Sequence, residues 1–405
     1  MCKLFLRNFD KKFLFLMLVI FSLSLSCSKT NRSREQINNE VKGPPVPSAE
    51  LPDIKDSGQR RIVRIPAMPE KGFKWPYFLV LPSDKYKLAN SGIKRYLLVE
   101  TTNEPRGKDL TSVEEAVRIK LNDEKQESVR LAEELRFPLL MPAIPRPVIE
   151  IYTDENNEPN IFYTTSLDRD SAILHMKMKN PDMKNLLTDV FKKAGHNVHD
   201  YIRLDLQVAS MIDHAIEYLN KYDHKVEDRV FMYGFSGSGS FSERFSMFHP
   251  EKLKAMVAGT KLANMILPLN KYKGRNLIYP IGTYDYEEIA GETFDLEKVN
   301  SVARLVFIGE NDINDNPLNH MDCYGRRERS IITGLWGKDV IMRAKKLAKL
   351  FKKSGGKGMF IVDKSAGHFV SDEMYDYIKY FFNINRENDM IFPPLKSGGN
   401  LVEVK

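Results

Sequence analysis

Between residue 60 and residue 382 the spacing of apolar positions switches repeatedly between the period of a strand and that of a helix. Short apolar runs bounded by turn-forming residues predict strands at Arg61–Ile65, Tyr77–Leu81 and 96–99. High helix propensity fills 113–135, and another strand begins at 139–141. Leu204, Val208, Met211, Ile212, Ala215 and Leu219 recur at helical spacing. A strand at 229–233, a helix at 238–248 and strands at 253–257 and 303–308 follow. A helix at 339–352, a strand at 359–362 and a helix at 372–382 close the series. Alternation of this kind predicts an α/β fold, a mostly parallel central sheet flanked by helices on both faces. No internal repeat is visible.

Two stretches break the rhythm. Residues 144–200 are rich in polar and loop-forming residues, and residues 261–300 carry Tyr272, Tyr279, Tyr284 and Tyr286. Each follows a strand, on the side where open α/β sheets bind ligands. They are expected to be either cap-like insertions that wall a pocket or peripheral decoration.

The most informative local pattern runs from Arg229 to Phe241. The apolar run Val230-Phe-Met-Tyr233 ends in Gly234-Phe-Ser236-Gly-Ser238-Gly-Ser240 and passes into helix-like sequence. A strand that turns sharply into a helix through a serine with small neighbours is a nucleophile elbow. The turn lifts Oγ out of the sheet, and the next N–H, on Gly237, lies at a helix N-terminus where it can stabilise an oxyanion. The pattern is G-x-S-x-S, so Ser238, also flanked by small residues, is a rival nucleophile. Ser236 is favoured because Gly234 directly follows the apolar run. A plain Gly/Ser turn or a phosphate-cradling loop is the bland alternative. A dinucleotide fingerprint fails because Ser242 takes the place of its third glycine, and a P-loop fails for want of Gly-Lys-Ser/Thr.

A serine nucleophile needs a base and a group that orients the base. Downstream, the strand at 303–308 runs into Gly309-Glu-Asn-Asp312, and the strand at 359–362 is followed by Gly367-His368. An acid and then a histidine, each just past a strand end, predict a Ser236–Asp312–His368 triad in that chain order. Asp315 is the neighbouring alternative for the acid. His196 and His199 are three apart but lack a third ligand, so no metal site is expected there. His249 reads as structural.

Composition adds bounds rather than chemistry. The 405 residues are 42% hydrophobic and 28% charged, enough for a substantial core. The net charge of +7 is modest and spread out, which argues against nucleic acid as a partner. The lysines of 345–353 alternate with Leu347, Ala348, Leu350 and Phe351, as on the wet face of an amphipathic helix. At the other end, Lys3, Arg7, Lys11 and Lys12 precede an apolar run over 13–25, matching a signal segment of residues 1–27. Ser24-Leu-Ser-Cys27 resembles the lipobox of bacterial lipoproteins, with Ser24 where Leu is usual. That resemblance implies acylation at Cys27, a membrane partner through the lipid, and a location outside the cytoplasm in the cell envelope. An uncleaved membrane anchor is the alternative. Residues 28–59 read as a polar, Pro-containing tether, and 60–405 as the folded domain. With Cys2 in the signal segment and Cys27 lipidated, Cys323 stands alone and no intramolecular disulfide is expected.

Together these residues make the chain resemble the α/β-hydrolase family, from about residue 60 to about residue 382. His249-Pro-Glu follows the elbow, thirteen residues after Ser236, at the spacing typical of that family. Leu97-Leu-Val-Glu-Thr-Thr-Asn103 is similar to its third strand and oxyanion loop, though without the usual His-Gly. The resemblance implies that Thr102 or Asn103 supplies the second oxyanion donor beside Gly237. It also implies hydrolysis of an ester, thioester or amide in a small acyl substrate, without metal or cofactor. A carboxylic-ester hydrolase is the leading expectation. A serine peptidase on the same fold and a surface binding protein with an idle triad are the alternatives.

Overall fold

A computed structural model describes residues 51, 53–54, 58–83, 92–102, 109–153, 159–161, 164–314 and 324–405. Its frame is a nine-stranded sheet. The strands are β1 (Arg61–Ile65), β2 (Tyr77–Leu81), β3 (Leu98–Val99), β4 (Leu139–Pro142), β5 (Val230–Phe235), β6 (Leu253–Gly259), β7 (Ala303–Gly309), β8 (Met359–Asp363) and β9 (Leu401–Glu403). Their spatial order is β1-β2-β4-β3-β5-β6-β7-β8-β9. The run β4-β3-β5-β6-β7-β8 is parallel, while β1, β2 and β9 join antiparallel at the two edges.

Period-two alternation in the central strands explains the layering. Phe231 and Tyr233 of β5, Ala255 and Val257 of β6, and Leu305 and Phe307 of β7 face one core. Val230, Met232, Met256, Ala258, Val306 and Ile308 face the other. Strands apolar on both faces need helices on both faces. The first face is covered by α1 (Leu110–Asn122), α2 (Glu127–Leu135) and, from the C-terminal part of the chain, Asp372–Glu387. Between them in sequence come α3 (Pro181–Lys193), α4 (Leu204–Lys221), α5 (Gly237–Phe248), α6 (Arg326–Trp336) and α7 (Val340–Lys353), so that last helix is α8. Residues of α4, α5 and α7 pack in the core of the second face.

The structure departs from the sequence reading in four places. The helix expected over 113–135 is two helices. Asp123 leaves helical geometry at φ −80°, ψ 106°, and its carboxylate accepts from the Lys125 N–H at 2.9 Å. An Asx turn of this kind competes with the helix ladder. The stretch 144–200 is more regular than its composition suggests: it holds a two-stranded hairpin and the amphipathic α3, whose Met183, Leu187 and Phe191 are buried. Helix α6 and edge strand β9 were not foreseen, the latter because three residues carry too little periodicity.

Both insertions lie along the flank of α5. Arg244 of α5 donates to the Ser166 carbonyl at 2.7 Å, the Ile266 N–H donates to Glu243 at 2.9 Å, and the Tyr286 hydroxyl donates to the Met247 carbonyl at 2.9 Å. These anchors fall on the second half of α5, away from its N-terminal residue Gly237. Among the described residues no helix is long and apolar enough to cross a membrane. Residues 1–50, with Cys27 and most of the expected tether, lie outside the described residues.

Candidate active site

Ser236 sits between β5 and α5 at φ 60°, ψ −121°. A non-glycine residue held at positive φ costs about 1–3 kcal/mol, so packing must impose it. Two glycines show how. A Cβ on Gly234 would lie 2.2 Å from the Ser238 carbonyl oxygen, and one on Gly239 would lie 2.6 Å from the Gly259 carbonyl oxygen. The elbow therefore closes only with glycine before the serine and glycine three residues after it. The position two after Ser236 tolerates serine and uses it. Ser238 is buried; its Oγ accepts from the Phe235 N–H at 2.9 Å and donates to the Phe235 carbonyl at 2.8 Å. With both functions committed to the backbone, Ser238 acts as a clasp on the turn, while the Ser236 hydroxyl points to His368.

The acid and the histidine converge from neighbouring strands. Asp312 follows β7 and His368 follows β8, and these strands pair in parallel register, Gly309 opposite Asp363. The two loops are stitched together: the Glu310 N–H donates to the Asp363 carbonyl at 2.8 Å, and the Asn311 N–H to the Ala366 carbonyl at 3.0 Å. His368 Nδ1 lies 3.1 and 3.0 Å from the two Asp312 carboxylate oxygens. His368 Nε2 lies 3.1 Å from Ser236 Oγ. A carboxylate can only accept, so Nδ1 carries the proton in this arrangement and Nε2 is left to accept from the serine hydroxyl. Asp312 is buried, with a side chain 1% exposed, whereas the His368 side chain is 33% exposed. The imidazole thus reaches solvent while the carboxylate behind it does not.

Two further residues shape the site without having been foreseen. The Asn314 N–H donates to Asp312 at 2.9 Å, and the Asn314 side-chain amide lies 3.4 Å from His368 Nε2. The Phe235 ring packs against the imidazole, with ring centres 5.1 Å apart. Only the short Asp-Ile-Asn spacing of an Asx turn could have pointed to Asn314. Asp315, the alternative acid, lies outside the described residues.

Of the residues expected to hold an oxyanion, Gly237 and Thr102 are among the described ones. Gly237 opens α5, where its N–H joins the positive end of the helix. In β3, Val99 pairs with Met232 in parallel register. Thr102 lies three residues beyond that last pair, past the end of β3. The hydroxyls of Thr101 and Thr102 are buried and have no hydrogen-bond partner among the described residues. Buried hydroxyls left unpaired cost stability, and such sites call for a functional account. Glu100, just before them, is buried and held by Lys120 Nζ at 3.0 Å and the Ser128 hydroxyl at 2.5 Å, which pins the strand end to α1 and α2. Asn103 lies outside the described residues.

Several of the other described histidines are engaged by structural partners. His249 Nε2 is 3.0 Å from Asp205, which Arg203 also holds. His214 meets the Tyr77 hydroxyl at 2.7 Å, and His196 meets that of Tyr201 at 2.9 Å. Burial pushes His175 down to about 3, so it is neutral. Among the described residues no group of three His, Cys, Asp or Glu side chains could hold a metal.

The strand order and the strand–serine–helix elbow define an α/β-hydrolase fold, and Ser236, His368 and Asp312 stand in line at the strand ends that this fold uses. No protein-family model matches the sequence, and no curated protein matches it. Among solved structures, the chain is similar to LpqC, a poly(3-hydroxybutyrate) depolymerase from Bordetella parapertussis, at 12% identity and a TM-score of 0.43, over 80% of this chain and 89% of that one. It is similar to poly(aspartic acid) hydrolase-1 from Sphingomonas sp. KT-1 at 14% identity and a TM-score of 0.39, over 77% and 92%. It is also similar to the fluorophosphonate-binding serine hydrolase FphF of Staphylococcus aureus at 11% identity and a TM-score of 0.35, over 81% and 97%.

Proposed function

We propose that this protein is a serine hydrolase that cleaves a carboxylic ester through an acyl-enzyme. The observation that carries the reading is the continuous line from Ser236 Oγ through His368 to Asp312, at 3.1 and 3.0 Å. In the first half-reaction Ser236 Oγ attacks the ester carbonyl while His368 Nε2 takes the hydroxyl proton. Asp312 holds the imidazole tautomer and stabilises the imidazolium. The Gly237 N–H, with a donor from the 101–103 segment, receives the charge on the carbonyl oxygen. Collapse breaks the ester C–O bond, and His368 returns the proton to the leaving alcohol. Water then attacks the acyl-serine with His368 as base, releasing the acid and restoring Ser236. Each proton and bond in these steps is accounted for by these side chains, the backbone donors and water.

The exported, lipid-anchored placement is part of the same proposal and is supported by the sequence of residues 1–59. A fluorophosphonate probe tests the enzyme reading. It should label the wild type and fail on Ser236→Ala, whose circular dichroism should be unchanged. A wild type that is folded and refuses the probe would point instead to a binding protein with an idle triad. Comparing ester with matched amide substrates separates esterase from peptidase.

A further inference from the structure

Beside the β8–β9 edge of the sheet lies a groove of about 500 Å³ that the triad chemistry does not use. Helix α7 sends Lys345, Lys346 and Lys349 to it, Lys364 enters from the loop after β8, and Lys405 follows β9. Two glutamates also line it, Glu310 and Glu403. Glu403 is already engaged by Lys352 at 2.8 Å. Lys346 donates to the Trp336 carbonyl at 3.1 Å. Among the described residues no ion pair or side-chain hydrogen bond engages the ammonium groups of Lys345, Lys349, Lys364 or Lys405. Apolar residues line the groove together with the lysines: Met342 is 52% exposed and Val402 is 38% exposed. A merely wet helix face accounts for the lysines but not for exposed methionine and valine in the same groove.

We propose that this groove binds a free single-chain anionic amphiphile, a carboxylate or phosphate head on a hydrocarbon tail. The head meets the lysine ammonium groups, and the tail lies on Met342 and Val402. Charge complementarity and the apolar lining each select part of that ligand. A small inorganic anion would use the lysines and leave the apolar surface wet. The usual nest for such an anion is also taken: at the N-terminus of α7 the Met342 N–H is capped by Asp339 at 2.7 Å. A bilayer would rest on a plane, whereas a groove of this volume can seat a single chain along its floor. Position adds interest. Glu310 and Lys364 begin the two loops that carry Asp312 and His368, and the Glu310 N–H donates to the Asp363 carbonyl at 2.8 Å.

Calorimetric titration of the full chain with octanoate and octyl phosphate tests the proposal without any turnover. Both should bind one site, while inorganic phosphate and neutral octyl glucoside should neither bind nor compete. The double reversal Lys345→Glu with Lys349→Glu should weaken both amphiphiles on the order of ten-fold or more. Lys353→Glu, on the same helix but outside the groove, should leave binding unchanged, as should Ser236→Ala, which keeps the groove separate from the triad. Met342→Ser should weaken the amphiphiles without creating phosphate binding. Should the double reversal unfold, Lys364→Gln gives the same comparison. Unchanged affinity in a folded groove variant overturns the proposal. So does phosphate binding as well as octyl phosphate, loss of binding in Ser236→Ala, or binding to acidic vesicles alone.

Discussion

At the scale of single residues, the site depends on side chains held in one state by their neighbours. Asp312 has its oxygens shared between His368 and the Asn314 N–H. Replacing it by Asn puts a donor where Nδ1–H needs an acceptor, so the imidazole is driven to the wrong tautomer. Asp312→Asn should lower ester turnover by about four orders of magnitude, the scale seen when a triad acid is so replaced. An initial-rate assay reads this directly, and a near-normal rate would remove Asp312 from the mechanism. Ser238→Ala deletes two bonds to the Phe235 backbone. It should cost about 1–3 kcal/mol in urea unfolding and yet leave probe labelling at Ser236. Glu243 behaves differently. Burial raises its carboxyl to about 7, against the opposing pull of Arg304, Arg244 and Lys261 and of the hydrogen bond from Ile266. Between its ordinary value near 4.5 and about 7 the folded state keeps a proton that the unfolded chain releases. Stability from this group is therefore lost as pH rises through that window. Glu243→Gln should remove the slope, so that the variant gains on the wild type between about pH 5 and about pH 8 in denaturant melts. A pH-independent difference between the two proteins would contradict the assignment.

At the scale of elements, the elbow is a contact between strand and helix backbones. Gly239 brings α5 onto β6 so closely that any Cβ would meet the Gly259 carbonyl oxygen at 2.6 Å. Backbone cannot rotate away as a side chain can. Gly239→Ala should cost about 1–3 kcal/mol or more and displace Ser236, reducing probe labelling well beyond the loss of folded protein. Labelling that merely tracks the folded fraction would show that the elbow tolerates the shift. The end of β3 depends on its anchor in a similar way. With Ser128→Ala the buried Glu100 keeps Lys120 but loses its hydroxyl partner. The Thr101–Thr102 segment loosens, and kcat should fall while KM changes little, because the oxyanion forms only during reaction.

At the scale of the whole molecule, the proposed architecture is a hydrolase domain on a leash. A lipid at Cys27 and the 28–59 segment would hold the domain near a membrane while leaving it room to move. One acyl chain anchors only marginally, whereas the multiple acylation of a lipoprotein cysteine anchors stably. Cys27→Ser should abolish fatty-acid incorporation and release from the precursor by a lipoprotein-type peptidase. A mature protein that carries no lipid would sink the anchor and leave the argument from residue 60 onward untouched.

How much of this was written in the sequence depends on the range of the forces involved. Strands β5 to β8 and helices α4, α5, α7 and α8 were legible because apolar periodicity is a local record of which face is buried. Ser236, Asp312 and His368 were legible in part because strand ends punctuate the pattern at each of them. Other features were not. The break at Asp123 was hidden by good helix propensity on both sides. Edge strand β9 exists only because β8 offers it a partner. The Ser238 hydroxyl turned back onto the Phe235 backbone was invisible too, since spacing favours Ser236 without showing where the rival hydroxyl goes. Asn314 and the lysine-lined groove are assembled from segments far apart in the chain. The sequence by itself determined the layers and the order of the chemistry-bearing residues, since each follows from patterns within a few turns. Distances between loops, and which hydroxyl or ammonium group is left free, were decided only by tertiary packing, because those are properties of pairs that no single segment contains.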